Sequence, residues 1–357
     1  MKAKRIYGFE PDYAVAPGDS LREVMDSLDM SQIELATRTG LTVQTLSRIF
    51  NDGHPISYET ANRLELAISV PARFWNNLEA EYREQLAKME ERERLRDDVE
   101  WLKLIPTKEL IDRGEIEVQS DKVLLLRETL GFYGVSSVDA WHSIWDVPAV
   151  AARRSPCFER RPGAASAWIR IGELKAQGIE CEPYNKNKFK EAISSIRGVT
   201  PENPAVFEPV MKKLCADAGV ALALVPKFKK VPWSGATKWI SPTKAMILLN
   251  LRGKGEDKFW FSFFHEAGHI LNDKKKDLLI NDGYEDDPRE KRANCFAADM
   301  LIPRKYNEDI LKAQSAAALR RISQELGVSV GIVAGRYQRL TGHWDYHKKL
   351  IRTFNWN

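Results

Sequence analysis

A chain of 357 residues, 43% hydrophobic and 29% charged, has enough apolar mass for two or three packed domains and too much for a disordered polymer. Its formal net charge of +4 leaves the two signs nearly balanced, so nothing in the total demands an acidic partner and any nucleic-acid surface has to be local. Cys157, Cys181, Cys215 and Cys295 lie far apart with no C-x-x-C pair, which argues against a zinc ribbon and a disulfide framework. Met1 to Asp12 is polar where a signal peptide needs an apolar core, and no run has the length of a membrane span, so the expected setting is the cytoplasm.

In chain order, Pro17-Gly18-Asp19-Ser20 punctuates the entry to a helix with Leu21, Val24, Met25 and Leu28 at helical spacing. Ser31 caps a second helix, Gln32 to Arg38, ended by Gly40; Thr42 caps a third, Val43 to Phe50, ended near Asn51-Asp52-Gly53. Ile33, Leu35, Ala36, Leu41, Val43, Leu46 and Ile49 are the apolar positions that would hold this pair at a fixed angle, as in a helix-turn-helix. Two further helices follow Pro55, one with Ala61, Leu64, Leu66, Ala67 and Ile68, the other with Phe74, Trp75 and Leu78, completing five helices over about residues 13–80.

Residues 79–100 form a charged run without Gly or Pro, which predicts an exposed connecting helix. Residues 101–200 alternate apolar and polar positions at helical periods and carry no recognisable chemistry. After Pro201 the texture changes. Val220 to Pro226 and Ala245 to Leu251 are short apolar runs bounded by turn residues and predict strands, with Lys238-Trp239-Ile240 as a third. Helix returns over Ala316 to Leu326 and Gly331 to Leu340. The expected organisation is therefore an all-α domain at 1–80, a helical linker and middle domain at 81–200, and a C-terminal domain at 201–357, mainly α with a small β-sheet (α+β).

The segment Phe259 to Leu271 reads FWFSFFHEAGHIL. On a helix His265 and His269 project one turn apart from the same face, so two imidazoles can share one cation. Glu266 adjoins them and is the candidate general base for a metal-bound water. Catalytic zinc held by two histidines needs a third protein ligand, and Glu290, opening the segment EKRANCFAADMLIP, is the candidate. Asn294, one turn on, could bond a ligand from behind. Cys295 points away from the face of Glu290 and reads as a small packed thiol. Tyr284 and His343 are weaker candidates for an extra electrophile, and the strand Ala245 to Leu251 is a candidate for pairing with an extended peptide. The aromatic run Phe259, Trp260, Phe261, Phe263 and Phe264 reads as core.

HEAGH followed by E-x-x-A-N-x-F-A-A-x-x-L-I-P, with the SGATKWI, KAMILLNLR and ELGVSVGIVAGRYQ stretches, resembles the ImmA/IrrE metallo-endopeptidases over roughly residues 200–357. The resemblance implies a zincin-like fold, Zn2+ on His265, His269 and Glu290, and Glu266 as catalytic base.

The first domain, from PGDSLREVMDSLDMSQIELATRTGLTVQTLSRIF to FWNNLEAEY, resembles the Cro/CI-type (XRE) helix-turn-helix family and within it the HigA-like antitoxins. That implies double-stranded operator DNA as a partner. The third helix would enter the major groove with Thr42, Gln44, Thr45 and Arg48, and Gln32 would reach a phosphate. Homodimers are the common arrangement for such domains. Together the two resemblances predict a DNA-binding regulator whose endopeptidase cleaves a regulatory protein, a repressor or an antitoxin. The alternative is a HigA-like antitoxin or repressor whose peptidase-like domain senses a signal without turnover.

Overall fold

The computed structural model describes residues 14–146, 162–226, 228–229, 233–251, 254–273, 279–281 and 287–355. The chain divides into two compact units, Met1–Val99 and Glu100–Asn357.

The first unit contains α1 (Pro17–Ser27), α2 (Gln32–Thr39), α3 (Val43–Asn51), α4 (Tyr58–Ile68) and α5 (Ala72–Asp97). Three of these begin with a side-chain cap: Ser31 accepts from the Glu34 amide, Thr42 from that of Thr45 and Ser57 from that of Thr60. Gly40 ends α2 at φ 68°, a conformation that suits glycine. Leu21, Leu35, Leu46, Ile49, Leu64 and Trp75 meet in the core. At Gly18 a side chain would lie 2.3 Å from the Ile49 carbonyl oxygen, so α1 approaches α3 at backbone distance. Ile33 and Val43 do not join this core, being 69% and 45% exposed. Ile33 is two places before Leu35, about 200° round the helix, and Val43 is the first residue of α3. Leu66 and Phe74 also face outward. The charged run is not a separate connector but the continuation of α5, because nothing in it interrupts helical hydrogen bonding.

The second unit opens with α6 (Thr107–Asp112), α7 (Lys122–Tyr133) and α8 (Val138–Trp141), which runs into a π turn at His142–Asp146. Then come α9 (Pro162–Gln177), α10 (Lys186–Gly198) and α11 (Pro204–Asp217). Strands β1 (Val220–Leu224), β2 (Gly235–Ser241), β3 (Lys244–Leu249) and β4 (Leu279–Asn281) make one sheet in the order β1-β3-β2-β4. β1 and β3 are parallel, and β2 is antiparallel to both β3 and β4. β3 is therefore an interior strand, with both edges already hydrogen-bonded, and it cannot take an added peptide as its sequence had led us to expect. Its unbroken apolar run reflects burial on both faces.

Helix α12 (Glu256–Asn272) lies against this sheet, and α13 (Pro288–Leu301) packs on α12. At Gly268 a side chain would meet Phe296 at 3.0 Å and the Ala293 backbone at 3.4 Å, so the small residues Gly268 and Ala293 set how closely the two helices approach. Phe259, Trp260, Phe263 and Phe264 enter the main core, as expected, beside Phe207 and Met211 of α11. The fold closes with α14 (Asn307–Lys312), α15 (Ala316–Leu326) and α16 (Val330–Thr341). Among the described residues no helix is long and apolar enough to cross a membrane.

The start of α12 is fixed by Glu256, which is fully buried. Its carboxylate accepts from the Ser329 hydroxyl at 2.8 Å, the Arg352 amide at 3.0 Å and the Arg352 Nε at 2.6 Å. The same guanidinium donates to the carbonyls of Thr200, Pro201 and Glu202. One buried ion pair thus joins α12, the α15–α16 turn, the C-terminal segment and the loop after α10. Glu256→Gln removes the charge and leaves Arg352 without its carboxylate, which costs about 3 kcal/mol on the scale of broken buried pairs. Urea denaturation of the metal-free protein is expected to show that loss; a change below about 1 kcal/mol would mean that the pair is screened by solvent.

Candidate metal centre

α12 brings His265, Glu266 and His269 into the interior, with exposures of 0%, 0% and 1%. Glu290, in the first turn of α13, meets both rings: His265 Nε2 is 3.1 Å from Oε2 and His269 Nε2 is 3.2 Å from Oε1. The two Nε2 atoms are 3.0 Å apart. Each ring spends its other nitrogen outward on an acceptor, His265 Nδ1 on Asn294 Oδ1 at 3.0 Å and His269 Nδ1 on Asp273 Oδ2 at 2.7 Å. With Nδ1–H donated in each case, rings that carry no proton on Nε2 would turn two lone pairs towards each other and a carboxylate. Such convergence of donor atoms suits a cation. The edges of a zinc tetrahedron with bonds of about 2.0–2.1 Å are about 3.3–3.4 Å long, close to the observed separations. His265, His269 and Glu290 also form the one group of this kind found among the described residues. The residues fit zinc.

Glu266 lies beside this cluster. Its Oε2 accepts from the Thr237 hydroxyl at 2.6 Å, while Oε1 is buried and has no hydrogen-bond partner among the described residues. Burial raises the Glu266 pKa, against the pull of the two histidines and Thr237. Gly235, at the start of β2, makes room for it: a side chain there would lie 2.5 Å from Oε1. Neither Gly235 nor Thr237 was singled out from the sequence. The signal was present, since both belong to the SGATKWI stretch, but only the register of β2 against α12 gives it meaning.

Other candidates separate here. Asn294 lies against the outward nitrogen of His265. Cys295 is exposed and unpacked, so helix geometry turns it away from Glu290 without giving it the buried place we anticipated. His343 stacks on Tyr346 at 4.9 Å on the surface and does not join the cluster. Tyr284 and Cys157 lie outside the described residues.

Residues 226–338 match the IrrE N-terminal-like domain of the peptidase M78 family. Residues 21–75 match the helix-turn-helix family. The chain thus carries a helix-turn-helix segment followed by an IrrE-like one, in the order that the sequence predicted. No curated protein matches the chain. The IrrE-like segment contains all of β2, β3, α12, β4 and α13, and so every residue of the cluster just described. The match supports a peptidase-like domain, and the helix-turn-helix supports a DNA-binding one.

In the helix-turn-helix, Thr42 caps α3 and its hydroxyl lies 2.8 Å from that of Thr45. Gln32 donates its amide to the Val43 carbonyl at 3.0 Å. These three residues shape the entry to α3, and the Gln32 side chain, expected to reach a phosphate, is already engaged across the turn. Gln44 and Arg48 stand exposed on α3.

Without metal, the charges balance internally. Burial disfavours a charged His269, but its hydrogen bonds to Asp273 and Glu290 outweigh that and push its pKa up to about 10. Burial likewise opposes ionised Glu290, and the two histidines hold it down at about 2. The sign for stability follows: a cationic His269 favours the metal-free fold fully below its ordinary value of about 6.5, and that contribution is lost as pH rises through about 10. At pH 7.5 an ion that takes Nε2 of His269 would therefore have to displace a proton. Calorimetric titration with zinc in buffers of different ionisation enthalpy is expected to report release of about one proton. A heat independent of buffer would show that His269 is neutral beforehand.

Proposed function

We propose that this protein is a DNA-binding regulator with a zinc-dependent endopeptidase that cleaves a regulatory protein, a repressor or an antitoxin. The observation that carries the reading is the buried, unpartnered Oε1 of Glu266 beside the convergent nitrogens of His265 and His269 and the carboxylate of Glu290. A sensing module has no use for such an oxygen, whereas hydrolysis needs a base placed next to the metal. This favours turnover over the HigA-like alternative. Zinc dependence is typical of the M78 family and agrees with the donor set.

In this mechanism His265, His269 and Glu290 hold the ion. Bound zinc would polarise the scissile carbonyl and lower the pKa of a water near Glu266. Glu266 takes the proton on Oε1 and later returns it to the leaving amine, while Thr237 holds Oε2 and keeps the carboxylate from rotating. The raised pKa of Glu266 favours a base that is able to give its proton back. β4, an end strand of the sheet, pairs with β2 opposite Gly235 to Thr237, so its outer edge is the place for an extended peptide in register with the base. That location replaces β3.

For the reader domain, Gln44 suits an adenine edge and Arg48 a guanine edge or phosphate on operator DNA. A homodimer would place two α3 helices on a two-fold operator. A cytoplasmic setting follows from this work on DNA.

Two experiments test the reading. Zinc content and new protein N-termini are to be compared in cells producing wild type, Glu266→Gln and Glu290→Ala. Glu266→Gln is expected to keep zinc and lose cleavage by a factor of about 100 or more, and Glu290→Ala to lose zinc; equal cleavage by Glu266→Gln would remove Glu266 as the base, and no cleavage by wild type would assign the protein to sensing. Separately, genomic fragments retained by wild type are to be offered to a Gln44→Ala, Arg48→Ala double variant. Binding weakened by about 1–3 kcal/mol per base contact, with zinc unchanged, is the expected result. Undiminished binding would remove α3 as the recognition helix.

A further inference from the structure

We propose that Asp273 is a positioning residue for the metal centre, holding His269 with Nε2 turned to the ligand cluster and tying that ring to the helix that supplies Glu290. The inference rests on the reading of His265, His269 and Glu290 as metal ligands.

Asp273 is the residue that ends α12, and its amide closes the last turn on the His269 carbonyl at 2.9 Å. An aspartate is poorly suited to that place on the grounds of folding alone. Its negative charge sits at the negative end of the helix dipole, where cationic side chains are favoured. It is also withdrawn from water, with 5% of its side chain exposed. A carboxylate kept in a position that disfavours it needs a reason outside the helix, and its contacts supply one. Oδ2 lies 2.7 Å from His269 Nδ1, and Oδ1 accepts from Arg292 Nη2 at 2.9 Å. Arg292 lies on α13, two residues after Glu290 and two before Asn294.

Consequently α13 governs both histidines. It reaches His265 directly through Asn294 Oδ1 and His269 indirectly through Arg292 and Asp273, while delivering Glu290 between them. An acceptor on Nδ1 fixes the tautomer with Nε2 free for a metal and stops the ring from turning about χ2. Removal of one such acceptor is expected to cost the site affinity without removing any ligand.

The test uses the full chain and zinc itself as probe, by competition with a chromophoric chelator. Asp273→Ala is expected to bind zinc 10–100-fold more weakly than wild type, the range typical of lost outer contacts. Asp273→Asn keeps an acceptor for Nδ1–H and is expected to recover most of that loss. In the zinc-loaded wild type, NMR should show a downfield His269 Nδ1 proton; it should move upfield in Asp273→Asn and vanish into exchange in Asp273→Ala. A purely structural tie between helices would be lost equally in Arg292→Ala, which we expect to bind within a few-fold of wild type. The proposal is overturned if Asp273→Ala, folded by circular dichroism, binds zinc as tightly as wild type. Should that variant not fold, an unshifted His269 proton in Asp273→Asn overturns it equally. A wild type that takes up no zinc, or a Glu290→Ala variant that binds it undiminished, overturns the metal-centre reading and this proposal with it.

Discussion

The nearness of β2 to α12 is the constraint on which the candidate site depends. Glu266 is buried between them, and only a residue without a side chain at 235 allows the strand so close to the carboxylate. Thr237, two residues along and on the same side of β2, then becomes the hydroxyl that engages one of the two oxygens. The remaining oxygen lies against Gly235 and has no hydrogen-bond partner among the described residues. A base shared symmetrically between donors would have no oxygen to spare, so the asymmetry matters as much as the burial.

The same economy of small residues operates on the other side of α12. Gly268 and Ala293 let α13 approach closely enough for Glu290 to touch both imidazoles, with Ala297 buried further along the interface. Apolar packing by Phe259, Trp260, Phe263 and Phe264 fills the rest of the helix surface and makes α12 a rigid support. Three of the described buried carboxylates are paired with basic side chains. Glu256 is matched by Arg352, Glu290 by the histidines, and Asp273 by His269 and Arg292.

Much of this was legible in the sequence, for physical reasons that differ by element. Ser31, Gly40 and Thr42 marked α2 and α3 to within a residue, because caps act locally. His265 and His269 could be placed on one face by helical periodicity alone, and Asn294 could be placed one turn from Glu290. Non-local facts were hidden. The apolar run of β3 identified a strand but not its neighbours, so its position in the middle of the sheet required β2 and β4 to be seen pairing. The importance of Gly235, Thr237 and Asp273 likewise arises from partners 31, 29 and 4 residues away, and only the last of these separations is one that local reasoning could have examined. Ile33 misled because a hydrophobic residue on a short helix says nothing of which side the rest of the unit occupies.

The helix that carries the histidines is held at both ends, by Arg352 on Glu256 at its start and by Arg292 on Asp273 at its finish. Sliding or rolling of this helix would break one or both of these ion pairs. The histidine rings are also almost completely screened, at 0–1% side-chain exposure, whereas the Glu290 side chain retains 11%. If the cluster takes an ion, the carboxylate of Glu290 is therefore the group with room to move aside on its own torsions, while the two histidine rings are held by their neighbours.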